Sequence, residues 1–172
     1  MMMKPVGPKR KDIHTISMLV ANKPGVLVRV ALVFARRGYN IDALAVSPAF
    51  DPRYSRMTIT AQGNPEALDQ IIKQANKLVD VLHIEEHSDV DAVHRELALL
   101  KLKATAANKA IIINLAKKFR AHTIDEGKEV IIIEQTGTTD ELDKFEALLK
   151  KYGVLEMVRS GKLVMARGKE AT

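Results

Sequence analysis

The sequence predicts an α+β protein built from two tandem domains, each with the element order βαββαβ. Three observations lead to this prediction. Short segments alternate between apolar and polar residues, as strands with one buried face do. Between these segments, apolar residues recur at the spacing of an amphipathic helix. The resulting order of elements occurs twice in 172 residues, and such an internal repeat sets the number of domains at two.

The first half opens with three strands and one helix. Residues 13–21 alternate as a strand, and residues 25–37 place valine and phenylalanine on one helical stripe. Residues 40–48 form a second strand that ends at a proline, before the turn Asp51-Pro52-Arg53. Residues 55–62 alternate cleanly and form the third strand.

A second helix and a fourth strand complete the first half. Asn64 precedes Pro65, which is the order expected of an N-cap and the first helical residue. The apolar stripe of this helix continues to Leu78 and Val79. Residues 81–86 then form a short final strand.

The second half repeats this order. Its predicted elements are strand 95–104, helix 106–120, strand 122–125, strand 130–133, a helix opened by Thr139 and stopped by Gly153, and a strand over 154–166 with a hairpin around Ser160-Gly161. The boundary falls in the polar stretch 87–93. We therefore expect a disordered leader over residues 1–12, a first domain over 13–87 and a second domain over 94–168.

A βαββαβ domain is the ferredoxin-like arrangement, in which both helices cover one face of an antiparallel sheet. Right-handed crossovers place the first and third strands in the middle, so the second strand lies at an edge. In the first domain this edge, residues 41–46, is largely apolar and needs a cover or a partner. We therefore expect a homodimer that pairs through this strand and brings Asn40 of one copy near residues 22–25 of the other.

Composition excludes several classes of function. The chain has no cysteine, so disulfides, thiolate metal sites and cysteine nucleophiles are excluded. No apolar run reaches the roughly 18 residues of a membrane helix, and we expect a soluble, cytoplasmic protein with no membrane partner. The formal net charge of +6 has local explanations in the leader and at helix ends, so we expect no nucleic-acid partner.

Two functional classes that occur on this fold fit the residues poorly. An RNA-binding domain of the RNP type needs aromatic residues on its central strands, and these strands carry none. For an enzyme, the phosphate-binding glycine motifs and the nucleophile elbow are missing, and Glu85 and Glu86 point to opposite faces of a strand. His83, His87 and His94 match metal-ligand spacing weakly. We predict no catalytic residue and no bound metal.

The strongest signal for a site is the run Asn22-Lys23-Pro24-Gly25-Val26-Leu27 between the first strand and the first helix. The first N–H groups of a helix lie unpaired at the positive end of its dipole, so this turn can hold a carboxylate. The amides of Asn22 and Asn40 donate and accept, which suits a zwitterion. Residues that can line an aliphatic slot are Val26, Leu27 and Ile41.

The same residues also have a purely structural interpretation. Asn22 can cap the helix, Pro24 can begin it, and Gly25 can relieve the turn. Turn chemistry alone favours this structural interpretation, because such caps are common.

Longer segments decide in favour of a site, because they resemble a known family. Residues 13–30 look like the opening of an ACT domain, and Phe34–Leu44 makes the likeness more specific. With further segments, over about residues 13–168, the chain closely resembles the regulatory (small) subunits of acetolactate synthase, also called acetohydroxyacid synthase. These further segments are Ser55-Arg56-Met57-Thr58-Ile59, Lys77-Leu78-Val79-Asp80-Val81, Arg95-Glu96-Leu97-Ala98-Leu99, Thr136-Gly137, Leu142-Asp143 and Val158-Arg159-Ser160-Gly161.

The resemblance implies a regulatory subunit that is not an enzyme by itself and binds no cofactor. Such a subunit binds and activates the catalytic (large) subunit, which carries thiamine diphosphate, Mg²⁺ and FAD. It also confers feedback inhibition by branched-chain amino acids, usually valine, in the biosynthesis of valine, isoleucine and leucine. The alternative is a stand-alone sensor of the ACT type that regulates another enzyme.

The resemblance also implies which residues contact the effector. Asn22 and Gly25 contact it from the turn, and Asn40 and Ile41 contact it from the edge strand of a partner copy. The second domain lacks an Asn-x-x-Gly turn after its first strand, so we expect it to be structural, to mediate oligomerisation or to transmit the signal. Ser55-Arg56-Met57 is a candidate contact for the catalytic subunit, because it is charged and lies away from the helices.

Overall fold

A computed structural model describes residues 13–169 and Thr172, and it has the predicted βαββαβ order twice. The first half consists of β1 (Ile13–Ala21), α1 (Val26–Ala35), β2 (Ile41–Pro48), β3 (Tyr54–Gln62), α2 (Pro65–Ala75) and β4 (Val81–His87). The second half consists of β5 (Ala92–Lys103), α3 (Lys109–Lys118), β6 (His122–Glu126), β7 (Val130–Gly137), α4 (Thr139–Leu149), β8 (Val154–Arg159) and β9 (Leu163–Ala166). The predicted leader, residues 1–12, lies outside the described residues.

Both sheets have the strand order of the ferredoxin-like fold. The first sheet runs β2-β3-β1-β4 and the second runs β6-β7-β5-β8. The first and third strands of each half are therefore central, and β2 and β6 lie at edges, as right-handed crossovers require. The contacts of the described residues divide them into two compact units, one up to Val93 together with the residues from Val164 onward, the other His94–Leu163.

The hairpin expected around Ser160-Gly161 is wrong. β8 pairs with β5, and β9 also pairs with β5. The reason lies at Ser160, whose backbone N–H donates to the Leu97 carbonyl at 2.9 Å while its Oγ accepts from the Leu97 N–H at 3.0 Å. These two bonds hold Ser160 against β5.

Irregularities of strand pairing recur at corresponding places in the two halves. The pairing of β1 with β4 shifts between Leu19 and Val20, and that of β5 with β8 shifts between Lys101 and Leu102. The edge strands behave alike, because β2 shifts against β3 at residues 41–43 and β6 shifts against β7 at residues 123–125. The internal repeat therefore includes the bulges as well as the order of elements.

Each sheet buries one face under its own two helices. In the first half, β1 and β3 align Ile16 with Ile59 and Met18 with Met57, and these four side chains form the centre of the core. The helices add their apolar stripes to this centre, and the buried helical residues are Val26, Val30, Phe34, Leu68, Ile71 and Ala75. An independent core in the second half contains Leu100, Leu102, Ile112, Ile131, Ile133, Leu142, Phe145 and Leu149.

The helices are shorter than their apolar patterns predict. α2 ends at Ala75, so Val79, expected on its apolar stripe, is fully exposed in the following loop. α1 ends at Ala35, because Gly38 takes a left-handed backbone with φ of 71° and the Tyr39 N–H returns to the Phe34 carbonyl at 3.1 Å. The apolar periodicity in the sequence therefore extends beyond the ends of the helices, into loops where the chain reverses its direction.

Candidate functional site

The β1–α1 turn begins its helix with a glycine and no side-chain cap. Gly25 is the N-cap residue, with φ of 84° and ψ of −8°, and its carbonyl accepts from the Arg29 N–H at 3.1 Å as the first bond of the helix. No side chain caps the first turn of α1, whereas Asn64 caps α2 and Thr138 caps α4. α3 also starts without a side-chain cap, and in α1 the Val26 N–H donates to the Lys23 carbonyl at 3.4 Å. The first turns of α1 and α3 thus lack the side-chain acceptor that α2 and α4 have.

The structural interpretation of Asn22 and Pro24 is wrong. α1 begins at Val26, two residues after Pro24, so the proline is not its first residue. The Asn22 side chain turns away from the helix, and its Nδ2 donates to the Pro52 carbonyl at 2.9 Å. The Asn22 backbone N–H donates to the Arg53 carbonyl at 2.8 Å. Asn22 therefore joins the β1–α1 turn to the β2–β3 hairpin.

The two apolar residues after Gly25 have opposite surroundings. Val26 is 2% exposed and belongs to the core, so the expectation that its side chain lines an aliphatic slot is wrong. Leu27 is 40% exposed and remains available to line one. Val26 can contribute only its backbone to a ligand.

Arg29 adds a charge that the sequence analysis did not include. A Cβ placed on Gly25 would lie 3.4 Å from Nη1 of Arg29, so the guanidinium lies beside the turn. Its Nη2 donates to the Asp80 carboxylate at 2.5 Å, which fixes the position of the side chain. The sequence does contain a signal for this residue, because Arg29 lies four positions, about one helical turn, after Gly25. This spacing aligns its charge with the start of the helix.

Asn40 and Ile41 lie at the opposite end of the sheet from the turn. Ala21, just before the turn, pairs with Tyr54, whereas Ile41 pairs with Ala61. The seven steps of β3 between these partners span about 23 Å at strand spacing. One copy of the chain therefore does not bring Asn40 and Ile41 to Asn22 and Gly25.

The Asn40 side chain is held by the bulge of β2. Its Nδ2 donates to the Asp42 carboxylate at 3.0 Å, and Asp42 is the residue at which the pairing of β2 shifts. The neighbouring Tyr39 packs on Gly63, where any Cβ would lie 1.9 Å from the Tyr39 ring. The segment Gly38-Tyr39-Asn40 thus ends α1, anchors the connection and presents an exposed amide at the start of the edge strand.

In the second half, the motif residues form a partly buried ion-pair cluster instead of an open site. Arg159 donates from Nη2 to Glu96 at 2.6 Å and from Nη1 to Asp143 at 2.5 Å, which ties β8 to β5 and to α4. Glu96 is 6% exposed and also accepts a hydrogen bond from the Thr139 hydroxyl. Partial burial lowers the pKa of Arg159, but the hydrogen bonds to Asp143 and Glu96 outweigh it and raise that pKa above its ordinary value.

The face of the first sheet opposite its helices carries hydroxyl groups. Ser17 pairs with Thr58 and Thr15 pairs with Thr60, and all four side chains are buried. The His87 ring lies 2.6 Å from the Ser17 hydroxyl. These central positions offer no aromatic ring for a nucleic-acid base.

The part of the chain that the structure describes contains neither a candidate metal site nor a candidate membrane-spanning helix. Within residues 13–169, no group of three or more His, Asp or Glu side chains is arranged to hold a metal ion. No helix among these residues has the length and apolar character needed to cross a membrane.

In a comparison with known proteins, both halves of the chain match the same protein family. Residues 16–83 match the sequence model of the AHAS small subunit-like ACT domain, and residues 95–168 match that of the small subunit of acetolactate synthase. The chain is 43% identical over 155 residues to the acetolactate synthase small subunit of Mycolicibacterium smegmatis, covering 90% of this chain and 91% of the relative. A probable acetolactate synthase small subunit of Archaeoglobus fulgidus is 42% identical over 155 residues, covering 90% and 97%.

A solved structure agrees with the sequence relatives. The crystal structure of an acetolactate synthase small subunit from Thermotoga maritima superposes with a TM-score of 0.83 at 39% identity, covering 92% of this chain and 99% of that one. Identity of this level over nearly the whole of both chains shows the family. The chain belongs to the family of acetolactate synthase small subunits, with an ACT domain in its first half.

Proposed function

We propose that this chain binds and activates the catalytic subunit of acetolactate synthase and confers feedback inhibition by valine. A small subunit implies a large, catalytic partner, and family membership carries this part of the proposal. The reaction, a transfer step in branched-chain amino acid biosynthesis, takes place in the cytoplasm on the partner. Thiamine diphosphate, Mg²⁺ and FAD are bound there, and this chain binds no cofactor.

The single observation that supports an effector site is the start of α1 at Gly25, a left-handed glycine with no side-chain cap. A valine carboxylate fits the first-turn N–H groups after Gly25, at the positive end of the helix dipole. Arg29, beside Gly25, gives one N–H to Asp80 and has further N–H donors for the carboxylate. The exposed Leu27 offers an apolar surface for the isopropyl group. An aliphatic contact of this kind rejects polar side chains more strongly than it separates valine from isoleucine.

A second copy of the chain completes the site in this proposal. β2 is an edge strand with free pairing groups, and two β2 strands that pair in antiparallel fashion run in opposite directions. The partner's Asn40 and Ile41 then lie at the end of β2 where Asn22 and Gly25 are found. Exposed apolar residues on α1, Leu27, Val28 and Leu32, extend the surface that a dimer would bury.

A thermal-shift screen of the full chain against the twenty amino acids tests the effector assignment. We expect stabilisation by valine and its branched-chain relatives only, because any ligand of the folded state raises the melting temperature. The catalytic subunit is then assayed with and without the chain, and with and without valine. We expect activation by the chain, inhibition by valine only when the chain is present, and no acetolactate from the chain alone.

Two outcomes contradict the proposal in different ways. A chain that binds valine but leaves the catalytic subunit unaffected is a stand-alone amino-acid sensor. A chain that sediments as a monomer at micromolar concentration, with and without valine, has no site shared between two copies.

A further inference from the structure

The tip of the β2–β3 hairpin, residues 49–54, is the exposed feature that the effector proposal leaves unused. Phe50 is fully exposed there, although the chain has only four phenylalanines. A single aromatic side chain in water is common by itself. This one is joined through a rigid turn to the residue at which the effector site begins.

The hairpin tip is rigid because its own groups close it from both sides. The Ala49 N–H donates to the Tyr54 carbonyl at 2.9 Å, and the Tyr54 N–H donates to the Asp51 carbonyl at 3.0 Å. Arg53 clamps the Asp51 carboxylate with its backbone N–H at 3.0 Å and its Nη2 at 2.5 Å, and its guanidinium lies 5.5 Å from the centre of the Tyr54 ring. Little conformational entropy remains to be lost when such a turn meets a partner.

The charges of the tip compensate each other. The hydrogen bonds from Arg53 lower the pKa of Asp51 and raise the pKa of Arg53, so both groups are charged at neutral pH. Their mutual pairing leaves Phe50, beside them, as the recognition group. A rigid, neutral turn with one protruding aromatic side chain suits an apolar pocket of a protein partner, since aromatic anchors dominate protein interfaces.

The tip is directly bonded to the proposed effector turn. Asn22 donates to the Pro52 carbonyl through its side chain and to the Arg53 carbonyl through its backbone. The Asn22 amide has two N–H donors and a carbonyl oxygen, and Pro52 occupies one of the donors. An effector that binds the rest of this amide therefore acts on the same side chain that holds the hairpin tip.

The former candidate contact, Ser55-Arg56-Met57, does not fit this role. Ser55 and Met57 are buried, and Met57 belongs to the core. The exposed part of the same hairpin begins before Ser55, which moves the candidate to the tip.

We propose that the hairpin tip, with Phe50 as its anchor, docks into an apolar pocket of the catalytic subunit, and that Asn22 transmits effector binding to this contact. The docking half of the proposal rests on the presence of the catalytic partner, and the transmission half rests on the proposed effector site. Coupling between two sites requires an element that both ligands influence, and the Asn22–Pro52 hydrogen bond is that element.

Phe50→Ala in the full chain tests the docking contact. The catalytic subunit encoded by the same genome is titrated with the chain, and the concentration for half-maximal activation is measured. We expect this concentration to rise at least about tenfold, as for an interface hot spot. Val90→Ala, which removes another exposed apolar side chain, from the segment between β4 and β5, is the matched control and is expected to change it less than twofold.

Titration and sedimentation each have an outcome that overturns docking. If Phe50→Ala leaves the activation curve unchanged, the hairpin tip is not part of the interface with the catalytic subunit. A loss of dimers on sedimentation of Phe50→Ala assigns the tip to contact between copies of this chain. Valine binding to Phe50→Ala, measured by isothermal titration, is expected to stay within twofold of the wild-type value.

Asp51→Ala tests transmission, because it loosens the tip without touching the effector turn. We expect valine to bind with the wild-type Kd while the maximal inhibition of the holoenzyme falls by at least half. Asp69→Ala, which breaks the exposed Asp69–Lys73 pair on α2, is the control and should leave inhibition intact. Full inhibition with Asp51→Ala overturns transmission. If the wild-type chain fails to bind valine, the effector assignment falls, and the Phe50 result still decides docking.

Discussion

The two halves of the chain share one topology but begin their first helices in different ways. After β1, the chain enters α1 through an exposed turn with a left-handed Gly25 and no side-chain cap. After β5, the turn before α3 is filled by Asn108, whose Oδ1 accepts from the Thr105 N–H at 2.7 Å and whose Nδ2 donates to the Lys103 carbonyl at 3.2 Å. Neither helix start has a side-chain cap, but the Asn108 side chain closes the turn before α3, whereas Gly25 has no side chain with which to close the turn before α1.

The edge strands differ in the same sense. β2 has eight residues, mostly apolar, and Val46 on it is exposed. β6 has five residues, and His122, Asp125 and Glu126 on it are exposed. Short, charged edges discourage pairing with another chain, whereas a longer apolar edge invites it. The second half thus lacks the two features on which the proposed shared ligand site depends.

The largest expected effect comes from Gly25→Asp, which closes the open turn. Aspartate tolerates the left-handed backbone better than most residues, so the variant is expected to fold. Its carboxylate takes the place of the ligand's and repels it, at a cost of several kcal/mol. We expect valine affinity to fall at least about a hundredfold by isothermal titration, and valine inhibition to disappear.

Gly153→Asp is the matched control for this prediction. Gly153 has nearly the same φ, 82°, but ends a helix in the second half, where a Cβ would meet only the Lys103 side chain at 3.7 Å. Valine binding should be unchanged. Equal loss of binding in the two variants would mean that Gly25 acts through general stability and not through a site.

Arg159→Ala is expected to have the next largest effect, on the stability of the second half. It leaves Glu96 buried without its cation, which costs about 3 kcal/mol of unfolding free energy. Urea unfolding followed by circular dichroism measures this. Lys73→Ala, which removes a partner from an exposed pair, should cost less than about 0.5 kcal/mol. Similar costs for the two variants would contradict a structural role for the ion-pair cluster.

The smallest expected effect concerns the cap of α4. Thr138→Ala removes the capping box with Glu141 and should cost about 1 kcal/mol at pH 7. The Thr138 N–H, at 2.8 Å, and the Thr138 hydroxyl, at 3.1 Å, both donate to the Glu141 carboxylate and lower the pKa of Glu141, and the substitution removes the share of the hydroxyl. This stabilisation is present above the ordinary glutamate pKa of about 4.3 and is lost as pH falls through the lowered value.

The pH dependence supplies the measurement for this cap. The difference in urea midpoint between wild type and Thr138→Ala should shrink below about pH 4. If this difference stays constant from neutral to acid pH, the ionised Glu141 carboxylate does not contribute to the stability of the cap.

The sequence predicted the strand order and the cores well, since alternation in β1 and β3 and the stripe of α1 are strong periodic signals. It predicted the ends of helices less well. Val79 continues the period of α2, but the chain turns back at Ala75 to reach β4, and only the tertiary arrangement imposes that turn. Ser160-Gly161 carries turn residues, yet the hydrogen bonds of Ser160 to Leu97 outweigh the local preference.

The candidate site was predictable in outline only. Asn22 and Gly25 follow from the turn chemistry, but the bond from Asn22 to Pro52 joins residues 30 positions apart, and no local pattern encodes it. The burial of Val26 follows from which face of α1 meets the sheet, since Leu27, its neighbour, points outward. The role of Glu96 in an ion-pair cluster likewise depends on three elements meeting.

The bulge at Asp42 determines which face of the sheet the first residues of β2 occupy. Side chains on a strand alternate between faces, so one extra residue sets which face every residue before it occupies. Ile41, before the bulge, and Leu44, after it, are three residues apart, yet both pack against the core. Deletion of a single residue at position 42 would therefore turn Asn40 and Ile41 to the other face while β2 stays paired, a lesion that no point substitution in this strand reproduces.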